Sequence, residues 1–199
     1  MKKIITIAAV LLVQACAFTD ATLKVEHDEE VNITGPLSET KGIVFSPPQL
    51  EDARLDKARI GWKKNGFGMN TADITSDRPV DVIVESALID AIKDNGHLVA
   101  DDGRVNISGT VDRFWFDTDM NAFTIEFIGD IQSTLEFVDA TTNSTFYKST
   151  YSGNYREKTA AGYVKTWTEV MGKAIDSLIE DIVFDEDLSE ALEDYKQSH

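Results

Sequence analysis

The chain has 199 residues, with 19 basic and 35 acidic side chains and a formal net charge of −16. Phosphate backbones repel a chain this acidic, which argues against a nucleic-acid partner. Hydrophobic residues make up 42% and charged residues 27% of the chain, which is the composition of a globular protein and not of a disordered chain or a membrane bundle. A single cysteine excludes an intramolecular disulfide.

The first fifteen residues are typical of a targeting segment. Lys2 and Lys3 precede an apolar run over residues 4–13. This run is too short to span a bilayer permanently, and it fits the hydrophobic region of a signal peptide. It leads into residues 13–16 (VQAC), which resemble a bacterial lipobox. That resemblance implies cleavage before Cys16 and acyl chains, such as palmitate, on its sulfur and its new amine.

A lipid on Cys16 would anchor the mature protein, because two or more acyl chains hold a protein stably on a membrane. Ala17 and Phe18 follow Cys16, so no adjacent Asp suggests retention at the inner membrane. We therefore expect attachment to the outer membrane, facing the periplasm. The mature chain keeps 17 basic and 35 acidic side chains, a net charge of −18, once Lys2 and Lys3 are removed. A plain secretory signal with an incidental cysteine is the alternative.

Composition divides the chain into four segments. We predict a signal peptide over 1–15, the lipidated Cys16 with a flexible tether over 16–41, one periplasmic α+β domain over 42–184, and an acidic tail or short helix over 185–199. The tether is predicted because its residues are polar and show no sustained period. An edge strand near 23–25 or 31–33 is the alternative within it.

Hydrophobic periodicity predicts the first elements of the domain. The apolar run 43–45 indicates a short buried strand that stops at a pair of prolines. Asn65-Gly66 lies between the runs 58–64 and 67–74 and predicts a hairpin with a two-residue type I′ turn. Apolar residues at helical spacing then predict a helix from Val80 to Asn95-Gly96.

Three strands and a second helix complete the predicted domain. Alternating apolar and polar residues predict strands over 105–116, 123–138 and 145–155, joined by polar links. The alternation changes phase near Arg113, which indicates a bulge. A continuous apolar stripe that begins with Ala160, Tyr163 and Val164 predicts a long helix from near Thr159, whose stripe would cover the sheet. The expected fold is an α+β two-layer sandwich, in which a mainly antiparallel sheet of about five strands carries two helices on one face.

Patterns for catalysis and metal binding are weak. Asp117, Asp119 and Asn121 begin like a calcium loop, but Ala122 and Ile128 occupy the positions that need Gly and Glu, so we interpret the segment as a polar turn. The three histidines lie far apart, and neither a nucleophile elbow nor a phosphate-binding glycine loop is present. We expect no enzyme activity, no metal and no cofactor.

Two surface features suggest contact with a partner. Five basic residues lie within eleven positions around the predicted hairpin: Arg54, Lys57, Arg59, Lys63 and Lys64. Together with Trp62 and Phe67 they predict contact with anionic head groups or an acidic protein, and an ordinary solvated hairpin is the alternative. Trp115 lies in an aromatic run over 114–116 that must place at least one ring outward, which suggests an apolar contact patch. Burial under a bulge or the tether is the alternative there.

The order of short motifs along the chain resembles a known family. Asp52-Ala53-Arg54, Ile60-Gly61, Gly66-Phe67-Gly68 and Tyr151-Ser152-Gly153 follow the lipobox in that order. This layout is similar, over residues 1–184, to the YajG-like family of uncharacterised bacterial lipoproteins. The resemblance implies an envelope lipoprotein and supplies no catalytic residues. The layout is also similar to that of small lipoproteins that serve as accessory subunits of envelope transport machines.

The sequence therefore predicts a non-enzymatic, membrane-anchored lipoprotein that binds protein or other components of the envelope. An accessory subunit of lipid or lipopolysaccharide transport is one alternative. An envelope hydrolase is another, which the missing nucleophile–base pattern disfavours.

Overall fold

The computed structural model describes residues 18–27, 32–121, 124–159 and 163–198. Its strands are β1 (Ala21–Leu23), β2 (Val44–Phe45), β3 (Gln49–Asp52), β4 (Gly61–Lys64), β5 (Asn70–Ser76), β6 (Leu98–Val99), β7 (Val105–Met120), β8 (Ile125–Asp139) and β9 (Thr145–Thr159). Its helices are a 3-10 helix (Pro36–Thr40), α1 (Val80–Asp94), α2 (Val164–Val183) and α3 (Glu186–Ser198). None of the helices in these ranges is long and apolar enough to cross a membrane.

One mixed sheet organises the domain. β7, β8 and β9 form the predicted antiparallel meander. β2, β3 and β4 lie parallel to β7 at successive points along its length, β4 and β5 form an antiparallel hairpin, and β1 is parallel to β5. The α+β class is confirmed, but the sheet has nine strands instead of about five and includes parallel pairs. The additional strands are too short to show a period of their own.

Two helices cover the sheet. α1 begins after Pro79 and ends at Asn95, as predicted, and the following Gly96 has a φ of +82°, the left-handed conformation that ends many helices. α2 packs on β8 and β9. It approaches closely because two sheet residues have no side chain: a Cβ on Gly153 would overlap the Ala174 carbonyl oxygen, and one on Gly129 would lie 2.9 Å from the Ala174 Cβ.

The predicted bulge is present in β7. The register of β7 against β8 shifts between Val111 and Arg113, so Asp112 is the extra residue. An extra residue reverses which side chains face the core. Odd-numbered Ile107 and Val111 are buried before the bulge, and even-numbered Phe114 and Phe116 are buried after it. This change of phase buries two of the three consecutive aromatic residues and turns Trp115 to the other face.

The segment predicted as a tether belongs to the domain wherever it is described. β1 adds to the edge of the sheet beside β5, and Leu23 and Val25 are completely buried. Ile33 and Leu37 are also in the core. The alternative of an edge strand near Leu23 is therefore the correct one. The strand covers only Ala21–Leu23, which is too short for its alternation to stand out from the polar residues around it.

The end of the chain also differs from the prediction. β9 continues to Thr159 because it pairs with β8 as far as Ile125, so α2 starts at Val164 and not near Thr159. After α2, the acidic stretch forms the helix α3, so the short-helix alternative is the correct one and the free tail is not. Leu188 and Leu192 of α3 are buried, and the Ser189 hydroxyl donates a 2.9 Å hydrogen bond to the Pro36 carbonyl of the 3-10 helix.

Candidate functional site

The hairpin predicted around Asn65-Gly66 exists, with a longer turn than expected. β4 and β5 pair from Gly61 to Lys64, and the loop comprises the five residues 65–69. The Asn65 side-chain oxygen accepts hydrogen bonds from the Phe67 and Met69 amides at 3.0 and 3.1 Å. Positive φ occurs at Gly68 and not at Asn65 or Gly66, so the turn is not type I′. An asparagine that binds backbone amides two and four residues ahead replaces the two-residue turn.

Most of the basic residues around this hairpin are bound within the protein. Arg54 is buried and makes two 2.9 Å hydrogen bonds to the Asp52 carboxylate. Desolvation of this carboxylate is outweighed by its hydrogen bonds from Arg54, so the pKa of Asp52 lies below its usual value. The other contacts are Arg59 with Asp56 and Asp73, Lys63 with the Thr19 carbonyl, and Lys64 with Asp117. These bonds leave the predicted basic cluster with little free charge and favour the alternative of a hairpin with ordinary charges.

Apolar side chains gather at the end of the molecule that holds the hairpin loop. Phe67 is 91% exposed and Met69 is 59% exposed. The Lys63 ammonium donates a 2.6 Å hydrogen bond to the Thr19 carbonyl, so the start of the described chain lies beside the hairpin. Phe18, which precedes Thr19, is 67% exposed. The same ammonium lies 5.9 Å from the Trp167 ring in the first turns of α2.

Helix α2 contributes two more exposed apolar residues to this end. Tyr163, which precedes the helix, is 77% exposed, and Val164 is 43% exposed. Both were predicted to lie in the buried stripe of the helix, and they are exposed because the helix starts later. We call the set Phe18, Phe67, Met69, Tyr163 and Val164 the hairpin-end surface. Only Phe67 of this set was predicted as a contact residue.

The two predicted tryptophan contacts have different environments. Trp62 is half-buried under the Arg59 guanidinium, whose carbon lies 3.9 Å from the ring centroid. This cation–π contact covers one face of the ring, so Trp62 packs within the protein on that face. Trp115 is half-buried and lines a cleft of about 270 Å³ with Leu55, whose side chain is fully exposed. Leu55 has no pattern around it that predicts a surface role, because it lies in an irregular loop.

A hydrogen-bonded cluster that sequence reasoning missed joins β9 to the start of α3. The Tyr147 and Tyr151 hydroxyls both donate to the same oxygen of Asp185, at 2.7 Å. Burial, together with these bonds, raises the pKa of Tyr147 to about 12 and also raises the pKa of Tyr151. The other Asp185 oxygen accepts from the Leu188 amide at 3.1 Å, so Asp185 caps the N-terminus of α3. An Asp just before a helix is a capping signal that the sequence shows. The two tyrosines lie far from Asp185 in sequence, and only the fold places them beside it.

Two histidines are used in packing. The His27 ring lies 2.7 Å from the Asp176 carboxylate of α2, and this hydrogen bond raises the pKa of His27. His97 is buried, with Nε2 at 3.0 Å from the Leu37 carbonyl and its ring edge-on to Phe45. Burial lowers the pKa of His97. Each ring therefore fastens the segment before α1 to the body of the domain.

The segment read as a polar turn with a calcium-like start is largely strand. Asp117 and Asp119 lie in β7, and Asp117 pairs with Lys64, while the turn begins at Asn121. Across the described ranges, no group of three or more His, Cys, Asp or Glu side chains could hold a metal ion. Cys16, the predicted lipidation site, lies outside those ranges.

Comparison with solved structures includes a likeness that supports the fold. Protein XCC0632 from Xanthomonas campestris, of family DUF330, matches with a TM-score of 0.55 and 9% identity, over 89% of this chain and 97% of that one. The PelC dodecamer from Paraburkholderia phytofirmans (TM-score 0.36, 14% identity, 73% and 92% covered) and lipoprotein GNA1162 from Neisseria meningitidis (0.27, 14%, 68% and 96%) are more distant. Scores this low do not establish a shared fold, so neither carries an argument here.

Comparison at the level of sequence identifies the family. No curated protein sequence matches the chain. The profile of Lipoprotein_16, described as "Uncharacterized lipoprotein", matches residues 49–193. That match covers most of the chain and confirms the resemblance that the order of motifs indicated. The chain belongs to the YajG-like family of bacterial lipoproteins.

Proposed function

We propose that the mature protein is held at the periplasmic face of the outer membrane by acyl chains on Cys16. Membership of a lipoprotein family and the lipobox at residues 13–16 support this proposal. The lipobox that ends at Cys16 is the observation that carries it, and the position of the domain shows what such an anchor would do. The described chain begins at Phe18, and β1 is paired with β5 from Ala21 onward. A lipid on Cys16 would therefore hold the folded domain directly at the bilayer.

The role proposed for this domain is binding, without catalysis. General acid–base catalysis requires titratable groups whose pKa values are tuned and which face a substrate. The described groups with the clearest shifts instead bind parts of the fold: His27 binds Asp176, His97 binds a carbonyl, and Tyr147 and Tyr151 bind a helix cap. The cleft between Leu55 and Trp115 supports contact with an envelope protein, because tryptophan is enriched among the residues that dominate binding energy and Leu55 adds exposed apolar surface beside it.

Labelling with a palmitate analogue tests the anchor. Wild type and Cys16→Ser are expressed in a Gram-negative host, and membranes are separated on a density gradient. We expect label on the wild type in the outer-membrane fraction, and unlabelled C16S that leaves that fraction. Wild type without label would contradict the anchor, and labelled protein in the inner-membrane fraction would contradict the outer-membrane location.

Capture from detergent-solubilised envelopes tests the binding role. Leu55→Asp is compared with wild type, and Lys57→Asp, in the same loop but outside the cleft, serves as the matched control. We expect one stoichiometric partner with wild type and with K57D, and its loss with L55D. Equal recovery with all three proteins would remove the cleft from the proposal. A turnover assay in which wild type hydrolyses envelope lipids or peptidoglycan would contradict the non-enzymatic role.

A further inference from the structure

We infer that the hairpin-end surface is the face of the domain that rests on the bilayer, so that the protein stands on its membrane in one orientation. This inference rests on the proposed lipidation of Cys16. Three observations lead to it: the length of chain between the anchor and the domain, the apolar side chains at that end, and the distribution of charge between the two ends.

The anchor lies very close to this end. Cys16 and Phe18 are two residues apart, and a fully extended chain spans at most about 3.6 Å per residue, so at most about 7 Å separates them. Phe18 is fixed beside the hairpin, because the adjacent Thr19 binds Lys63 and the Asp20 carboxylate accepts a 2.9 Å hydrogen bond from the Asp73 amide. Acyl chains that enter the bilayer at Cys16 therefore bring this end, and not another, against the head groups.

The side chains at this end suit a lipid interface. Phe18, Phe67 and Tyr163 are aromatic, and each is more than 60% exposed. Tyr concentrates at the level of lipid head groups, and Phe is common on the apolar faces that proteins bury at that level. Met69 and Val164 add exposed aliphatic surface from two different elements. Insertion of these side chains would add to the anchoring supplied by the acyl chains, because apolar surface removed from water contributes roughly 25 cal/mol per Å².

Charge separates the two ends of the domain. The far end carries the 101–102 turn and α3, which Tyr195 ties to the Arg104 carbonyl next to that turn. Seven exposed carboxylates lie at that end, namely Glu39, Asp101, Asp102, Glu186, Asp187, Glu190 and Asp194, whereas the hairpin end exposes Asp20, Asp119 and Glu169. At the hairpin end, the exposed ammonium groups of Lys158 and Lys165 pair with Glu126 and Glu169, so basic side chains partly offset the carboxylates there. A membrane surface with anionic lipids repels the far end. This repulsion favours the orientation in which the hairpin end faces the bilayer.

Fluorescence quenching by lipids tests the orientation. The native lipidated protein, whose Cys16 thiol is blocked by its own acyl chain, receives a second cysteine by Phe67→Cys or Tyr163→Cys and is labelled with bimane. Asp187→Cys in α3 is the matched control. Each protein is reconstituted into vesicles of phosphatidylethanolamine and phosphatidylglycerol that contain a lipid with a doxyl quencher near the head group.

We expect quenching at positions 67 and 163 and none at 187. The loss of signal should be about two-fold, since a side chain at the interface lies within about 10 Å of the acyl boundary. Intact mass, measured on each preparation first, reports whether the lipid is present. An unmodified Cys16 would overturn the anchor itself. A lipidated protein with no quenching at either hairpin-end position, as when a protein partner covers that end, would overturn the orientation alone.

Discussion

At the scale of single residues, the side chains that drew attention as candidates for function prove to hold the fold together. Arg54 shows this most clearly. Its guanidinium binds both oxygens of Asp52 and also the Arg59 carbonyl, so it fixes the loop between β3 and β4. A buried cation with this many acceptors is costly to remove, because its partners then remain desolvated and unpaired.

Replacement of Arg54 should therefore destabilise the domain. We expect Arg54→Met to lower the free energy of unfolding by about 2–4 kcal/mol, as in other broken buried pairs. Urea denaturation followed by tryptophan fluorescence measures it. Lys57→Met, an exposed position in the same loop, should change stability by less than about 0.5 kcal/mol. Equal effects of the two substitutions would show that Arg54 is an ordinary surface residue.

The bond between His27 and Asp176 should make stability depend on pH. The folded-state pKa of His27 is raised above its usual 6.5, so the protonated form is favoured by folding. Its contribution is fully present below pH 6.5 and is lost as the pH rises through the folded-state pKa. We expect His27→Gln to cost about 1–2 kcal/mol at pH 5.5 and much less at pH 8.5. Unfolding curves at both pH values measure this.

The reciprocal variant serves as the control for that pair. Asp176→Asn removes the carboxylate and leaves the ring, and it should give the same trend with pH as H27Q. A cost for H27Q that is the same at both pH values would mean that the two side chains contribute only through packing.

At the scale of elements, the close contact between α2 and the sheet depends on glycine. A Cβ on Gly153 would overlap the Ala174 carbonyl oxygen of the helix and lie 2.6 Å from the Leu178 nitrogen. Backbone atoms cannot move aside as a flexible side chain can, so Gly153→Ala should cost about 3 kcal/mol or more. Thermal unfolding compares it with Gly66→Ala, where a Cβ would meet nothing within 4 Å. Similar melting temperatures for the two variants would contradict this packing.

The acidic helix α3 provides a second test at this scale. Leu192 is completely buried against the domain, although the helix around it is rich in carboxylates. We expect Leu192→Ala to destabilise the protein by about 2–5 kcal/mol, as for other buried leucines. Glu190→Ala, on the exposed side of α3, should have little effect in the same denaturation assay. A free tail at residues 185–199 would instead make both substitutions neutral.

Long elements could be predicted from the sequence because each contains several repeats of the helical or strand spacing of apolar residues. The helix α1, the meander of β7 to β9 and even the bulge at Asp112 follow from the spacing of apolar residues. Strands of two to four residues, such as β1, β3 and β6, are too short to show a clear alternation. Their neighbours in the sheet determine them, and a single sequence does not display those neighbours.

The candidate site was predictable in part for a related reason. Phe67 was identified because a hairpin loop exposes its residues, and that loop has a local signature in the sequence. Tyr163 was assigned to a buried stripe, because the length of β9 depends on its pairing with β8. The Tyr151 and Asp185 pair is separated by 34 residues and is joined by the path of the chain alone.

At the scale of the whole molecule, the proposed anchor, the exposed apolar side chains and the charge distribution all favour the same orientation. The described chain begins two residues after Cys16, three exposed aromatic side chains lie at the same end, and a cluster of exposed carboxylates lies at the other. A lipid on Cys16 would hold this body against the bilayer without the spacer that the sequence suggested. The acidic end would then face the periplasm, where a partner could reach it.

The proposed anchor and orientation both depend on covalent lipid at Cys16. Intact mass spectrometry measures this lipid directly on protein extracted from its own bacterial membranes. We predict a mature chain that starts at Cys16 and carries the added mass of its acyl groups. A free Cys16 thiol on a protein that is recovered without detergent would contradict the anchor and, with it, the orientation.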